Sequence, residues 1–207
     1  MRHLAFATTL SLLCALAHGA EQARPVAAFQ SIDLHGPISI EVQVGKSQSV
    51  TVRGTARFVG DVVTEVVNGE LRIHMREKNV KNMNSDERVI VTVPELRKFA
   101  AEGAGETILT GIKGERFDAS YRGAGSLSMS GKVTSLKLQA QGVGAIDASK
   151  LIAQDTAVDF QGIGSVQVYA SGRLDARVNG MGELSYYGHP RTVTKSVSGI
   201  GSVTAHD

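Results

Sequence analysis

The chain has 207 residues, 22 Lys and Arg against 20 Asp and Glu, a formal charge of +2, no tryptophan and 5% aromatics. The near-neutral, mixed surface argues against nucleic acid as a partner. The hydrophobic fraction of 42% is enough to fill a core, made for want of aromatics from small aliphatic side chains.

Met1 to Ala20 reads as a secretory signal. Arg2 and His3 form a short basic start, Leu4 to Leu16 is apolar, and small residues follow. Cleavage fits after Ala17 or Gly19 better than after Ala20, because His18 would stand three residues before that last site. The apolar run is short for a bilayer span, and no later run is long enough to cross one. The only cysteine, Cys14, lies in this segment. The mature chain, residues 21–207, therefore has no disulfide framework, thiol nucleophile or cysteine zinc site. Export to the periplasm, cell surface or medium is the expected address.

Residues 29–93 alternate as strands with one buried face. Ile32, Leu34, Ile38, Ile40, Val42, Val44, Val50 and Val52 form the apolar set, and Gly36-Pro37 and Gly45-Lys46 punctuate it. Val62 to Val67 is a β-branched run, and Asn68-Gly69 is a strong hairpin signal leading into Leu71, Ile73 and Met75. Arg76 to Arg88 is charged, Asn-rich and without apolar period, which reads as an exposed loop. Val89, Val91 and Val93 resume the strand pattern before Pro94.

Over residues 99–205 a glycine pair, G-x-G, recurs at Gly103/Gly105, Gly123/Gly125, Gly142/Gly144, Gly162/Gly164, Gly180/Gly182 and Gly199/Gly201. Successive pairs are 20, 19, 20, 18 and 19 residues apart. Such a period predicts a single all-β domain, a parallel β-solenoid with coils of roughly 19 residues and these glycines at its corners. Two and four residues before each first glycine stand mainly apolar pairs, from Phe99/Ala101 to Lys195/Val197, where only Lys195 departs. Four and six residues after it stand Thr107/Leu109 through Val203/Ala205. Both sets are expected to point inward.

The segments EGAGETILTG, RGAGSLSMSG, QGVGAIDAS, QGIGSVQV and SGIGSVTA, preceded by FQSIDLHGPISIEVQVG and VIVTVPELRKFAAEGAG, resemble the bacterial putative auto-transporter adhesin, head GIN domain family. The resemblance runs from Phe29 to Ala205. It implies a right-handed β-helix exported to the periplasm or cell surface, and it brings no catalytic residues. The G-x-G-D form of the family motif is altered here: Glu106, Ser126, Ala145, Ser165, Glu183 and Ser202 hold the fourth place.

The chemistry-bearing residues are sparse. No glycine pair has the third glycine and following helix of a dinucleotide site. The period is twice that of calcium-binding nonapeptide repeats, with only Asp147 near a ligand place. His35, His74, His189 and His206 lack metal-ligand spacing. No catalytic, cofactor or metal residue is assigned. Asp159 and Arg177, and Glu102 and Arg122, are expected to meet as exposed ion pairs; Asp159 and Asp175 are the nearest approach to a paired carboxylate site. Tyr169 and Tyr187 are the candidate surface-binding residues, since their alternation with inward neighbours turns them outward. The leading expectation is a non-catalytic exported binding or structural protein, with a protein or polysaccharide of the cell envelope as partner. The alternatives are a carbohydrate-active enzyme or polysaccharide-binding module, and a homo-oligomer stacking through its open ends.

Overall fold

The computed structural model describes residues 20–76 and 86–206. The segment read as a signal, Ala20 excepted, and residues 77–85 of the charged loop lie outside them.

The described residues form ten strands and one short helix. In order these are β1 (Ala20–Ala23), β2 (Ser31–Pro37), β3 (Ser39–Val44), β4 (Ser49–Gly54), α1 (Ala56–Asp61), β5 (Val62–Val67), β6 (Glu70–Met75), β7 (Arg88–Val93), β8 (Lys98–Tyr169), β9 (Arg173–Tyr187) and β10 (Thr192–Ala205). The alternating N-terminal residues behave as their pattern requires: Ile32, Leu34, Ile40, Val42, Val50 and Val52 are all buried. Asn68 and Gly69 both take positive φ, 52° and 76°, and turn β5 into an antiparallel pairing with β6. This is the backbone shape a two-residue hairpin of this type needs. The helix α1 starts at Thr55, whose hydroxyl accepts the Phe58 amide at 3.2 Å.

The right-handed parallel β-helix expected from the glycine period and the family resemblance is not the architecture that forms. The sheet is mixed and curls as a half-barrel. Eight strands lie on the path β1-β4-β7-β3-β8-β2-β6-β5, and β9 and β10 continue from β8. β1 with β4, β4 with β7, and β5 with β6 run antiparallel. β2 and β3 each lie parallel between β8 and a second strand, β6 and β7 respectively. The physical reason is that the glycine period constrains only residues 99–205. In the N-terminal part the two-residue turn Asn68-Gly69 makes β5 and β6 antiparallel neighbours, since so short a link joins only antiparallel strands, while β4 meets β1 and β7 antiparallel across longer connections.

Within residues 98–205 the period sets the register. β9 lies parallel on β8 with Gly162 opposite Gly180 and Gly164 opposite Gly182. β10 lies parallel on β9 with Gly199 opposite Gly180 and Gly201 opposite Gly182. β8, 72 residues long, would span on the order of 240 Å if straight. Instead it returns on itself and stacks glycine on glycine in two columns. The first glycines form one column: Gly123 rests on Gly103, Gly142 on Gly123 and Gly162 on Gly142. The second glycines form the other: Gly125 rests on Gly105, Gly144 on Gly125 and Gly164 on Gly144.

The glycines expected at corners all lie within strands. Gly103, Gly105, Gly123, Gly125, Gly142, Gly144, Gly162 and Gly164 all lie inside β8. Gly180 and Gly182 lie inside β9, and Gly199 and Gly201 inside β10. The first turn of the stack meets the N-terminal strands instead of another glycine pair. A Cβ at Gly103 would overlap the Gly36 carbonyl, and one at Gly105 would come within 2.8 Å of the Ile38 carbonyl oxygen. Gly105 has φ of +144°, as has Gly125 above it, where a Cβ would also meet the Tyr121 hydroxyl at 2.8 Å. Their role is close backbone approach between hydrogen-bonded strands, in a conformation that only glycine takes without strain.

One continuous core runs beneath this surface. The inward columns are buried from Phe99/Ala101 through Ala176/Val178, and from Thr107/Leu109 through Val166/Val168. Gly162 shows the constraint most plainly. Its φ is +150°, and a Cβ there would lie 2.9 Å from the Gly142 carbonyl carbon and closer still to its oxygen. An L side chain would meet both a backbone clash and a strained dihedral.

Candidate functional site

Outward from the glycine columns the structure builds an apolar ladder. The middle residue of each G-x-G has glycine on both sides, so no neighbour on its own strand shields it. Pro37 lies beside Ala104; farther along, Ile163 lies opposite Met181, and Met181 opposite Ile200. Val143 stands next to Ile163, because Gly142 and Gly144 meet Gly162 and Gly164. The exposures are 55% for Val143, 47% for Ile163, 50% for Met181 and 79% for Ile200. At about 4.8 Å per strand these four rungs cover roughly 15 Å. Singly exposed apolar residues are ordinary; a contiguous row is the candidate for an interaction surface.

A second row flanks the first. Gln141, Gln161, Asn179 and Ser198, one residue before each first glycine, are all exposed. Gln161 pairs in register with Asn179, and Asn179 with Ser198. An uncharged hydrogen-bonding row thus lies beside the apolar one. It opens toward a cleft of about 80 Å³ whose lining includes Ser120, Arg122, Gln139, Gln141, Asp159 and Gln161. Beneath it the Tyr121 hydroxyl is buried without a hydrogen-bond partner, and burial pushes its pKa above the ordinary value. A roomier cleft of about 590 Å³ lies at Phe29, Gln48 and Pro94. Its charged residues pair with carboxylates, Arg97 with Glu95 at 2.8 Å and Lys98 with Glu70 at 3.3 Å.

The anticipated ion pairs rearrange. Asp159 and Arg177 are register neighbours, yet Arg177 reaches Asp175 on its own strand at 3.4 Å, and Asp159 accepts from Gln161 at 3.3 Å. Glu102 lies 3.9 Å from His35, which is itself 3.1 Å from Asp33. Of these contacts, the Arg177–Asp175 pair is of the surface kind that contributes about 0.2–1 kcal/mol.

Tyr169 and Tyr187 are brought together as register partners at the ends of β8 and β9, and both are half-buried. The Tyr169 ring lies over Gly188, where a Cβ would come within 2.5 Å of Cζ. The Tyr187 ring is 5.6 Å from the His206 ring, tilted by 33°.

Sequence reasoning passes over the apolar ladder. Its signal is the middle residue of the glycine pairs, which enlarges along the chain from Ala104 and Ala124 to Val143, Ile163, Met181 and Ile200.

The model of the putative auto-transporter adhesin, head GIN domain family matches residues 28–190. Among solved structures, the chain is similar to a putative adhesin from Bacteroides fragilis, with TM-score 0.72 and 22% identity over 92% of this chain and 98% of that one. It is also similar to a putative lipid binding protein from Parabacteroides distasonis, with TM-score 0.50 and 18% identity over 92% and 98%. A putative adhesin from Parabacteroides merdae matches with TM-score 0.50 and 17% identity over 92% and 97%. No curated protein matches the chain.

Proposed function

The chain belongs to the putative auto-transporter adhesin, head GIN domain family, and from that membership we propose that it is an exported, non-catalytic binding protein of the cell envelope. The observation that carries this reading is the exposed ladder Val143, Ile163, Met181 and Ile200 beside its row of amides. Water gains nothing from apolar side chains held in line on a rigid sheet, and a partner that covers them removes that area from water. The amide row supplies directional contacts without charge, so binding is expected to survive moderate salt. Tyr169 and Tyr187 are assigned to the same outward surface as a second contact. Periplasm or cell surface is the address this reading requires, and a protein or polysaccharide of the envelope is its partner.

The test is co-sedimentation of purified protein with an envelope fraction. Wild type is expected to bind, and the Ile163→Asp/Met181→Asp double variant to bind at least about tenfold more weakly, roughly 1.4 kcal/mol. Equal binding by the two proteins would refute the ladder. Turnover of any envelope polysaccharide that is abolished by Asp159→Asn would refute the non-catalytic reading.

A second reading is a lipid-contacting surface. The ladder's apolar character favours it, and the Parabacteroides distasonis protein with a similar fold carries that description. Neutral phosphatidylcholine vesicles added to the same experiment separate the two readings.

A further inference from the structure

The two ends of the sheet are finished differently. At the N-terminal end, α1 packs against β1, β4 and β5 and buries Phe58 and Val59. At the other end, β10 pairs with β9 along 14 residues. Among the described residues no strand pairs with its second edge. The core columns surface there. Val197 is 43% exposed, whereas its column neighbours Val178 and Phe160 are buried. Val193 and Val203 are only partly buried, whereas Leu174 and Leu184 beside them are fully buried. An open edge of this length offers a row of free backbone donors and acceptors over an uncovered apolar section.

We propose that the open face of β10 is a self-association surface, on which a second copy of this chain docks its own β10 antiparallel about a two-fold axis at Ile200. The occupant follows from the asymmetry of the ends. A head-to-tail stack needs a matching edge at the N-terminal end, and there the outermost strands are short, β1 of four residues and β5 of six, against the 14 of β10. An isologous contact uses the open edge twice and closes on itself. The same axis fits the side chains. Ile200 meets the partner's Ile200, and Val197 meets the partner's Val203. Lys195 falls opposite the partner's Ala205, so like charges do not face each other. The exposed ladder then continues across the axis from one copy to the next.

Lys195 moderates this contact. A lysine on an edge commonly discourages pairing. Here its ammonium donates to the Val203 carbonyl at 3.1 Å and sits 5.1 Å from the Tyr186 ring centroid, folded onto its own end. The 14 residues of β10 also fall short of the roughly 20–30 residues a side of a standard interface. The dimer is therefore expected at micromolar rather than nanomolar concentration.

This inference goes beyond the proposed function and needs no envelope ligand, so its test uses the protein alone. Sedimentation equilibrium from about 1 to 200 µM, a range that brackets micromolar affinity, should show a monomer–dimer equilibrium. Ile200→Asp should weaken it at least about tenfold. Far-UV circular dichroism should be unchanged, because Ile200 points into solvent. Ile163→Asp, on the ladder but two strands from the edge, should leave the equilibrium as in wild type. A monomer throughout the range would overturn the proposal, as would growth into open stacks. Equal weakening by Ile163→Asp would also overturn it, by assigning association to the ladder face.

Discussion

Gly162→Val is expected to destabilise the protein by about 3 kcal/mol or more, from a backbone clash added to dihedral strain. The clash comes from the Gly142 carbonyl, which a Cβ at Gly162 would overlap. That carbonyl belongs to the same long strand and cannot retreat without moving Gly142 off Gly123. The strain comes from φ of +150°. At roughly 2–4 °C per kcal/mol for a chain of this size, the melting temperature should fall by about 10 °C. Gly114 separates the two causes: its φ is +140°, but nothing lies within 4 Å of a Cβ built there. Gly114→Val should therefore cost only the strain, about 1–2 kcal/mol. Thermal unfolding of the two variants tests this, and equal losses would remove close approach as the reason for glycine in the column.

Phe99→Ala is the second large effect, expected to cost about 3–5 kcal/mol. Phe99 is fully buried and is among the largest such side chains. It sits in register with Ile32 of β2. On its other side, Gly123 rests on Gly103, and the same step places Ala119 beside Phe99. Alanine is too short to fill the space a deleted ring would leave. The cavity should therefore persist, and its cost adds to the lost transfer energy. Urea unfolding should show a lower midpoint with an unchanged slope. A loss below about 1 kcal/mol would mean that the site collapses and that the core is less tightly held than its burial implies.

Much of this arrangement is legible in residues. The inward columns can be read because alternation has only one solution when one face is buried. The register of residues 98–205 can be read because glycine stacks on glycine where no other residue fits. The topology of the N-terminal part does not follow from the same signal. Ile32 to Val52 alternate equally well whether their neighbours run parallel or antiparallel, and only Asn68-Gly69 declares a direction. Extending the glycine period backward turns a mixed, curled sheet into an expected parallel β-helix. It also gives Gly105 and Gly125 the role of corners, and the structure carries both within β8. Positive φ and close approach are needed in either setting, so the glycine alone does not distinguish them. The ion pairs differ because register places Asp159 beside Arg177, whereas Asp175 lies two residues along the same strand within easy reach. The ladder escapes notice for another reason. The glycines announce geometry, and the side chain between each pair reads as filler.

The central claim is that the glycine columns hold neighbouring strands in register and thereby align the side chains between them. The most direct test is an Ile163→Cys/Met181→Cys double variant, since residues 21–207 contain no cysteine. In-register parallel neighbours place their Cα atoms about 5 Å apart, inside the range a disulfide spans. Mild oxidation should give an intramolecular disulfide in high yield. Val143→Cys/Ile200→Cys, three rungs apart, should give none. Failure of the first pair to cross-link while the second does so would contradict the register and, with it, the ladder.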